Sequence, residues 1–215
     1  MEEQIKDIDK IIEMYKNHIL PYDIYVSSFN STEYKSGDAS KYSILREVMI
    51  SSTGYSIVTK RLCKALAEII GNHKALEVCC GKGVLAKGLR DEDIEVKATD
   101  NFSWLVPEFF NNCWIDDIEK IDADDAIAKY GDDHDILILS WPPCNNLTAY
   151  MSLIEMRKVN PNMQMIYIGE SEGGNCANSL FFEEAIEIKD NRIDKINSEI
   201  FRQHFGMNDK VKLYR

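Results

Sequence analysis

Residues 137–144 read Leu-Ile-Leu-Ser-Trp-Pro-Pro-Cys, and residues 163–170 read Met-Gln-Met-Ile-Tyr-Ile-Gly-Glu. Proline cannot donate to a strand ladder and biases the residue before it away from helix. The first run is therefore expected to be a buried strand stopped by a rigid elbow. Four groups around these two strand ends have chemistry of their own: Ser140, Trp141, Cys144 and Glu170. An indole face binds planar and cationic groups. A thiolate is a nucleophile. A carboxylate ending the next strand can take a proton or hold a cation. Such an elbow is either a tight turn or the rim of an active site, and the remaining segments must decide.

The second stretch with chemical content is Ala-Leu-Glu-Val-Cys-Cys-Gly-Lys-Gly-Val-Leu-Ala, residues 75–86. Gly81 and Gly83 allow tight backbone geometry between a strand and a helix, whose N-terminus offers free N–H groups. Asp100 closes the next expected strand, 17 residues after Gly83. An acid at that place can take both hydroxyls of a ribose lying across the first two strand ends. The nucleotide P-loop pattern G-x-x-x-x-G-K-[ST] is absent. The G-x-G-x-x-G of nicotinamide enzymes is not completed either, because Val, Leu and Ala follow Gly83.

The elements that must position these residues follow from periodicity. Residues 4–20 carry Ile5, Ile8, Ile11, Ile12, Tyr15 and Ile19 at helical spacing before Pro21, and a shorter helix is expected around Ser43 to Ile50. Residues 56–71 form an amphipathic helix ending at Gly71. From there strands and helices alternate: strands in 74–81, 94–100, 135–140 and 163–170, with a short one near 112–115 or 118–121. Helices are expected in 84–90, 122–131, 146–159 and 180–188, and residues 210–215 are strand-like. Alternation of this kind implies an α/β fold with a mostly parallel sheet and ligands at the strands' carboxyl ends.

The segment Glu77-Val78-Cys79-Cys80-Gly81-Lys82-Gly83 resembles motif I of class I S-adenosylmethionine-dependent methyltransferases, with Cys79 where that motif has its first glycine. The resemblance implies a Rossmann-like methyltransferase fold. Its seven-stranded, mostly parallel sheet of order 3-2-1-4-5-7-6 would carry helices on both faces. Residues 55–215 would form the S-adenosylmethionine-binding domain, and residues 1–54 an N-terminal helical cap or lid. It also implies roles for residues at matching positions. Cys79, Gly81 and Gly83 would line the cofactor, Glu77 would help place its amino end, and Asp100 with Asn101 beside it would hold the ribose. An acid before the third helix would bond the adenine amino group. Asp122, with Ala123 next to it, is preferred there over Asp116 or Asp117.

Placed on this fold, Ser-Trp-Pro-Pro-Cys falls at the fourth strand's end, where amino-group methyltransferases often carry [Asp/Asn/Ser]-Pro-Pro-aromatic. Here Trp141 precedes the prolines, Ser140 stands one place early and Cys144 replaces the aromatic. Pro-Pro-Cys with Glu170 also echoes cytosine-C5 methyltransferases. Asn145 after the cysteine, a different motif I and the lack of a target-recognition segment count against that version. Together, the Ser-Trp-Pro-Pro and Tyr-Ile-Gly-Glu-x-x-Gly-Gly stretches resemble a small methyltransferase-like group of unassigned substrate.

The composition narrows the partners. The chain has 215 residues, 45% of them hydrophobic, enough for one well-buried domain, and a net charge of −11. An acidic chain points away from nucleic acid and toward a small polar or amine-bearing acceptor. No apolar run is long enough for a membrane helix, and the first ten residues lack a signal peptide's apolar centre. The six cysteines show no C-x-x-C and no metal-like Cys/His spacing, so a reduced cytoplasmic compartment and no metal are expected. His73 and His134 are expected in solvated turns. Arg46, Tyr55 and Thr59 precede motif I, where a lid would close. Two functions remain open on these residues: a methyltransferase, or a non-catalytic protein that binds S-adenosylmethionine or S-adenosylhomocysteine.

Overall fold

A computed structural model describes residues 4–26, 38–103 and 112–215. The described elements run β1 (Gln4–Ile5), α1 (Ile8–Lys16), β2 (Asp23–Ile24), α2 (Asp38–Thr53), α3 (Lys60–Ile70), β3 (Ala75–Val78), α4 (Val84–Arg90), β4 (Val96–Asp100) and β5 (Glu119–Lys120). They continue with α5 (Ala123–Tyr130), β6 (Ile136–Ser140), α6 (Thr148–Val159), β7 (Gln164–Gly169), α7 (Ser179–Glu184), α8 (Asn191–Lys195) and β8 (Lys210–Tyr214). A π-helical turn, Ile196–Ile200, prolongs α8.

The central sheet has the order β5-β4-β3-β6-β7-β8, parallel throughout except for β8, which runs antiparallel to β7. Successive side chains on a strand face opposite sides, and both sides are buried. Ala75, Ile136, Ile138, Ile166, Ile168 and Val211 join one apolar cluster with α3, α4 and α8. Leu76, Val78, Leu137, Leu139, Met165 and Tyr167 join the other with α5, α6 and α7. Unbroken apolar runs therefore make these strands, as a doubly covered sheet requires. This is a Rossmann-like α/β fold.

Among the described residues the sheet has six strands, where the resemblance implied seven. Helix α7 ends at Glu184, and Ala185 turns extended. Glu187 then pairs with Tyr214 as an isolated antiparallel bridge on the outer edge of β8, with Ile186 and Arg215 exchanging both backbone hydrogen bonds. With the Ile188 amide donating to the Leu213 carbonyl, the chain adds a short antiparallel contact to this edge. Three residues after Glu187, the Asp190 side chain caps α8 by accepting from the Arg192 amide, which leaves no length for a longer ladder.

The N-terminal segment packs into the first cluster. Ile11, Tyr15, Leu20, Ile24, Leu45 and Met49 are all buried there, and the Tyr15 hydroxyl donates to the Val58 carbonyl at 2.7 Å. No helix among the described residues is long and apolar enough to cross a membrane. His134 differs from expectation: it is buried, and Nδ1 lies 2.7 Å from the Tyr130 carbonyl, while His73 is exposed beside Asp135.

Candidate active site

Between β3 and α4 the backbone alternates into the left-handed region, with φ of 54° at Cys79, 58° at Gly81 and 75° at Gly83. Glycine takes that region freely, while a side chain there costs about 1–2 kcal/mol. Cys79 thus holds a conformation that glycine takes freely. Asp100, at the end of β4, closes the turn. Its Oδ2 accepts from the Gly81 amide at 2.8 Å and its Oδ1 from the Phe102 amide at 2.6 Å. The carboxylate is almost fully buried.

Contacts with Ile115 and Ser51 hold the turn. A Cβ at Gly83 would stand 2.6 Å from Ile115 Cγ1, so close packing of residues 112–118 requires glycine there. Lys82 is buried, and its ammonium donates to the Ser51 carbonyl at 2.5 Å, placing a positive charge at the C-terminus of α2. Desolvation lowers its pKa. Glu77 lies in the middle of the sheet with Oε2 unpartnered. Desolvation pushes its carboxyl up to about 8, against the Ala86 amide and Arg90 and with help from the Asp100 charge. It is therefore mainly neutral at pH 7.

Polar groups lie beside the turn. Asn101 donates from Nδ2 to Asp122 Oδ1 at 2.7 Å and accepts the Ser103 amide at 2.9 Å, and both Asn101 and Asp122 are exposed. Asp122 stands at the N-cap position of α5, but its side chain faces Asn101 instead of capping the helix. Ala123 begins the helix beside it. The sequence-predicted Asp100, Asn101 and Asp122 thus come together beside Gly81. Asp117, the rival to Asp122, pairs with Arg90 on the surface.

The elbow lies one strand away, because Val78 pairs with Leu139 and Ser140 with Ile168. Ser140 Oγ is 2.8 Å from Ser56 Oγ, on the link between α2 and α3. Trp141 is left-handed at φ 51°. Its indole N–H donates to Asp209 Oδ2 at 3.0 Å, and the Tyr55 ring stacks on it with centroids 5.1 Å apart and planes 19° apart. Asp209 has no exposed surface, its Oδ1 has no partner among the described residues, and burial pushes its carboxyl up to about 6 despite the indole bond. The prolines form a second contact: Pro143 bridges Cys176 antiparallel, and the Pro142 carbonyl accepts the Ala177 amide.

Glu170 pins this loop. Oε2 accepts from the Asn175 amide (2.8 Å) and side chain (2.9 Å), and Oε1 accepts from the Asn208 amide (3.0 Å). Burial would raise the carboxyl, but these donors hold it below its usual range. Glu170 is thus an ionised loop anchor. Cys144 is exposed at the far side of the elbow.

No protein-family model and no curated protein sequence matches the chain. Among solved structures it is similar to TehB from Haemophilus influenzae, with a TM-score of 0.47 and 10% identity over 79% of this chain and 66% of that one. It is also similar to a mutant of MtNAS, with a TM-score of 0.40 and 10% identity over 96% of this chain and 86% of that one. The likeness at these scores is one of general shape, and nothing about activity is taken from it.

The residues at the turn fit an adenosine-bearing ligand. Gly81 carries no side chain, Asp100 accepts from its amide, and Asn101 and Asp122 offer exposed polar groups nearby. Asp209 and Ser56 were not legible as site residues. Asp209 stands in a polar tail with no periodic signal, and Ser56 reaches the site only through the fold.

Proposed function

We propose that the chain binds S-adenosylmethionine across the carboxyl ends of β3 and β4 and serves as a methyltransferase for a small polar or amine-bearing molecule. The observation that carries this is the bond from the Gly81 amide to Asp100, inside a turn left-handed at 79, 81 and 83. Gly81 would let the cofactor approach the backbone, Asp100 and Asn101 would meet its ribose, and Asp122 and Ala123 its adenine. The cofactor supplies an electrophilic methyl group when bound. What this chain adds is orientation, since a bound pair in near-attack geometry needs little further catalysis. The acceptor would lie against Ser140, Trp141 and the Pro142–Pro143 elbow.

One observation favours a second reading, a non-catalytic S-adenosylmethionine- or S-adenosylhomocysteine-binding protein. Ser140, Trp141 and Glu170 all hydrogen-bond to other protein groups: Ser56, Asp209, and Asn175 with Asn208. Transfer of a radiolabelled methyl group to a panel of amines and polar metabolites separates the two. Turnover that persists in Cys144→Ser supports orientation chemistry. Turnover abolished in that variant would instead favour a covalent thiol route. Cofactor binding without transfer to any of the panel favours the second reading.

A further inference from the structure

Away from the glycine turn, a cavity of about 380 Å³ is lined by Gln4, Tyr22, Asp23, Arg61 and Arg202. That space equals roughly a dozen waters at their liquid volume and falls in the range of small-ligand sites. Its charge is opposite to that of the chain. Two guanidiniums face one carboxylate, an excess of one positive charge on a protein carrying −11.

The carboxylate is fully engaged. Asp23 Oδ1 accepts from the Ile24 amide at 2.8 Å and Arg202 Nε at 3.0 Å. Oδ2 accepts from Arg202 Nη2 at 2.6 Å and Arg61 Nη1 at 3.0 Å. Arg202 is nearly saturated as well, because Nη1 donates to the carbonyls of Glu199 and Phe201. Arg61 is different. One N–H of Nη1 meets Asp23, and the rest of its donor fork has no acceptor among the described residues. Its side chain is 32% exposed, beside an Asp23 only 5% exposed. Asp23 thus anchors the two arginines and leaves Arg61 presenting a pre-oriented fork.

We propose that this cavity is a binding site for a small oxyanion, a phosphate or carboxylate group, held by the free edge of Arg61 with the charge of Arg202 behind it. A planar guanidinium suits two oxygens of one such group. Asp23 does not repel the ligand strongly, because its charge is already matched by Arg202. The site does not depend on the cofactor reading, since none of its residues belongs to the glycine turn or the elbow.

The test is calorimetric titration of the full chain with inorganic phosphate and, separately, with acetate, against sodium chloride at matched ionic strength. Saturable 1:1 binding of phosphate or acetate is expected, and the arm that binds more tightly names the oxyanion class. Arg61→Gln should weaken that binding at least tenfold, while Lys158→Gln, on an exposed helix face, should leave it unchanged. No binding in either arm, or equal affinity in Arg61→Gln, overturns the proposal. If Arg61→Gln fails to fold, the wild-type protein still decides. Titrated phosphate or acetate should shift two arginine Nε–H signals along one saturation curve in ¹⁵N-resolved NMR, and signals that stay fixed in both titrations overturn it.

Discussion

The indole N–H of Trp141 donates to Asp209 Oδ2 at 3.0 Å, although the two residues are 68 positions apart and the carboxylate has no exposed surface. This bond joins the elbow after β6 to the turn before β8, and so ties the Pro142–Pro143 loop to the last strand. With Oδ1 unpartnered among the described residues, the carboxyl of Asp209 is raised to about 6 by burial. Ionisation is thus less favourable in the folded chain than in the unfolded one, whose Asp titrates near 3.9. The associated stability is present below about pH 4 and lost as pH rises through about 6. Asp209→Asn keeps an acceptor for the indole and removes the ionisation. It should gain stability relative to wild type as pH rises from 4 to 7, reaching on the order of 3 kcal/mol. His204, lowered to about 3 by burial and by Arg46, works in the opposite direction on the acid side. The variant-minus-wild-type difference in urea unfolding is therefore the quantity to follow. A difference that stays constant with pH would contradict this account of Asp209.

Glu77 provides a second pH-dependent variant with a different window. Its carboxyl is raised to about 8, so the stability it contributes is present below about pH 4.5 and lost as pH rises through 8. Glu77→Gln mimics the neutral form. It should cost little at pH 5 and be more stable than wild type at pH 9. Denaturant midpoints at the two pH values check this, and a loss of stability at pH 9 would mean that the ionised form is the one stabilised.

Two glycines separate strain from packing. Gly54 has φ 97° with open space where a Cβ would go, whereas a Cβ at Gly83 would press on Ile115. Gly54→Ala should cost about 1 kcal/mol through the left-handed backbone alone. Gly83→Ala should cost about 3 kcal/mol, because overpacking adds to the same strain. Equal losses in thermal unfolding would show that residues 112–118 do not press on the turn as described.

Lys82 links the glycine turn to the helix in front of it. Lys82→Met keeps the stem and removes both the hydrogen bond to the Ser51 carbonyl and the charge at the C-terminus of α2. A loss of about 1–2 kcal/mol is expected. Faster amide exchange is expected in the last turn of α2, and exchange unchanged there would contradict the link.

The strands of the sheet were legible because their burial on both faces leaves unbroken apolar runs: Ile136–Ser140 and Gln164–Gly169 lie where the sequence predicts strands. The third strand resolved to the second of its two expected places, at Glu119–Lys120. Residues 180–188 misled because Phe181 and its neighbours have helical spacing, while the chain leaves the helix at Glu184 to meet the sheet edge. The segment 191–200 was missed, since its α turn and π turn share no single period. Asp100 was marked by its place at a strand end, and Asn101 and Asp122 by the resemblance; the fold brings the three together beside Gly81. The partners of Trp141 were not marked, because Tyr55 and Asp209 reach it through tertiary packing. Nor did sequence show that Glu170 spends its acceptors on Asn175 and Asn208.

Cofactor binding at the glycine turn is the central claim, and Asn101 and Asp122 test it more cleanly than Asp100. Both are exposed, whereas Asp100 also holds the turn together through Gly81 and Phe102. The measurement is calorimetric titration of wild type, Asn101→Ala and Asp122→Ala with S-adenosylhomocysteine and S-adenosylmethionine. The account predicts 1:1 binding to wild type that weakens about tenfold, the worth of one or two hydrogen bonds, in each variant. Absence of binding by folded wild-type protein, or binding at full strength in both variants, would contradict it.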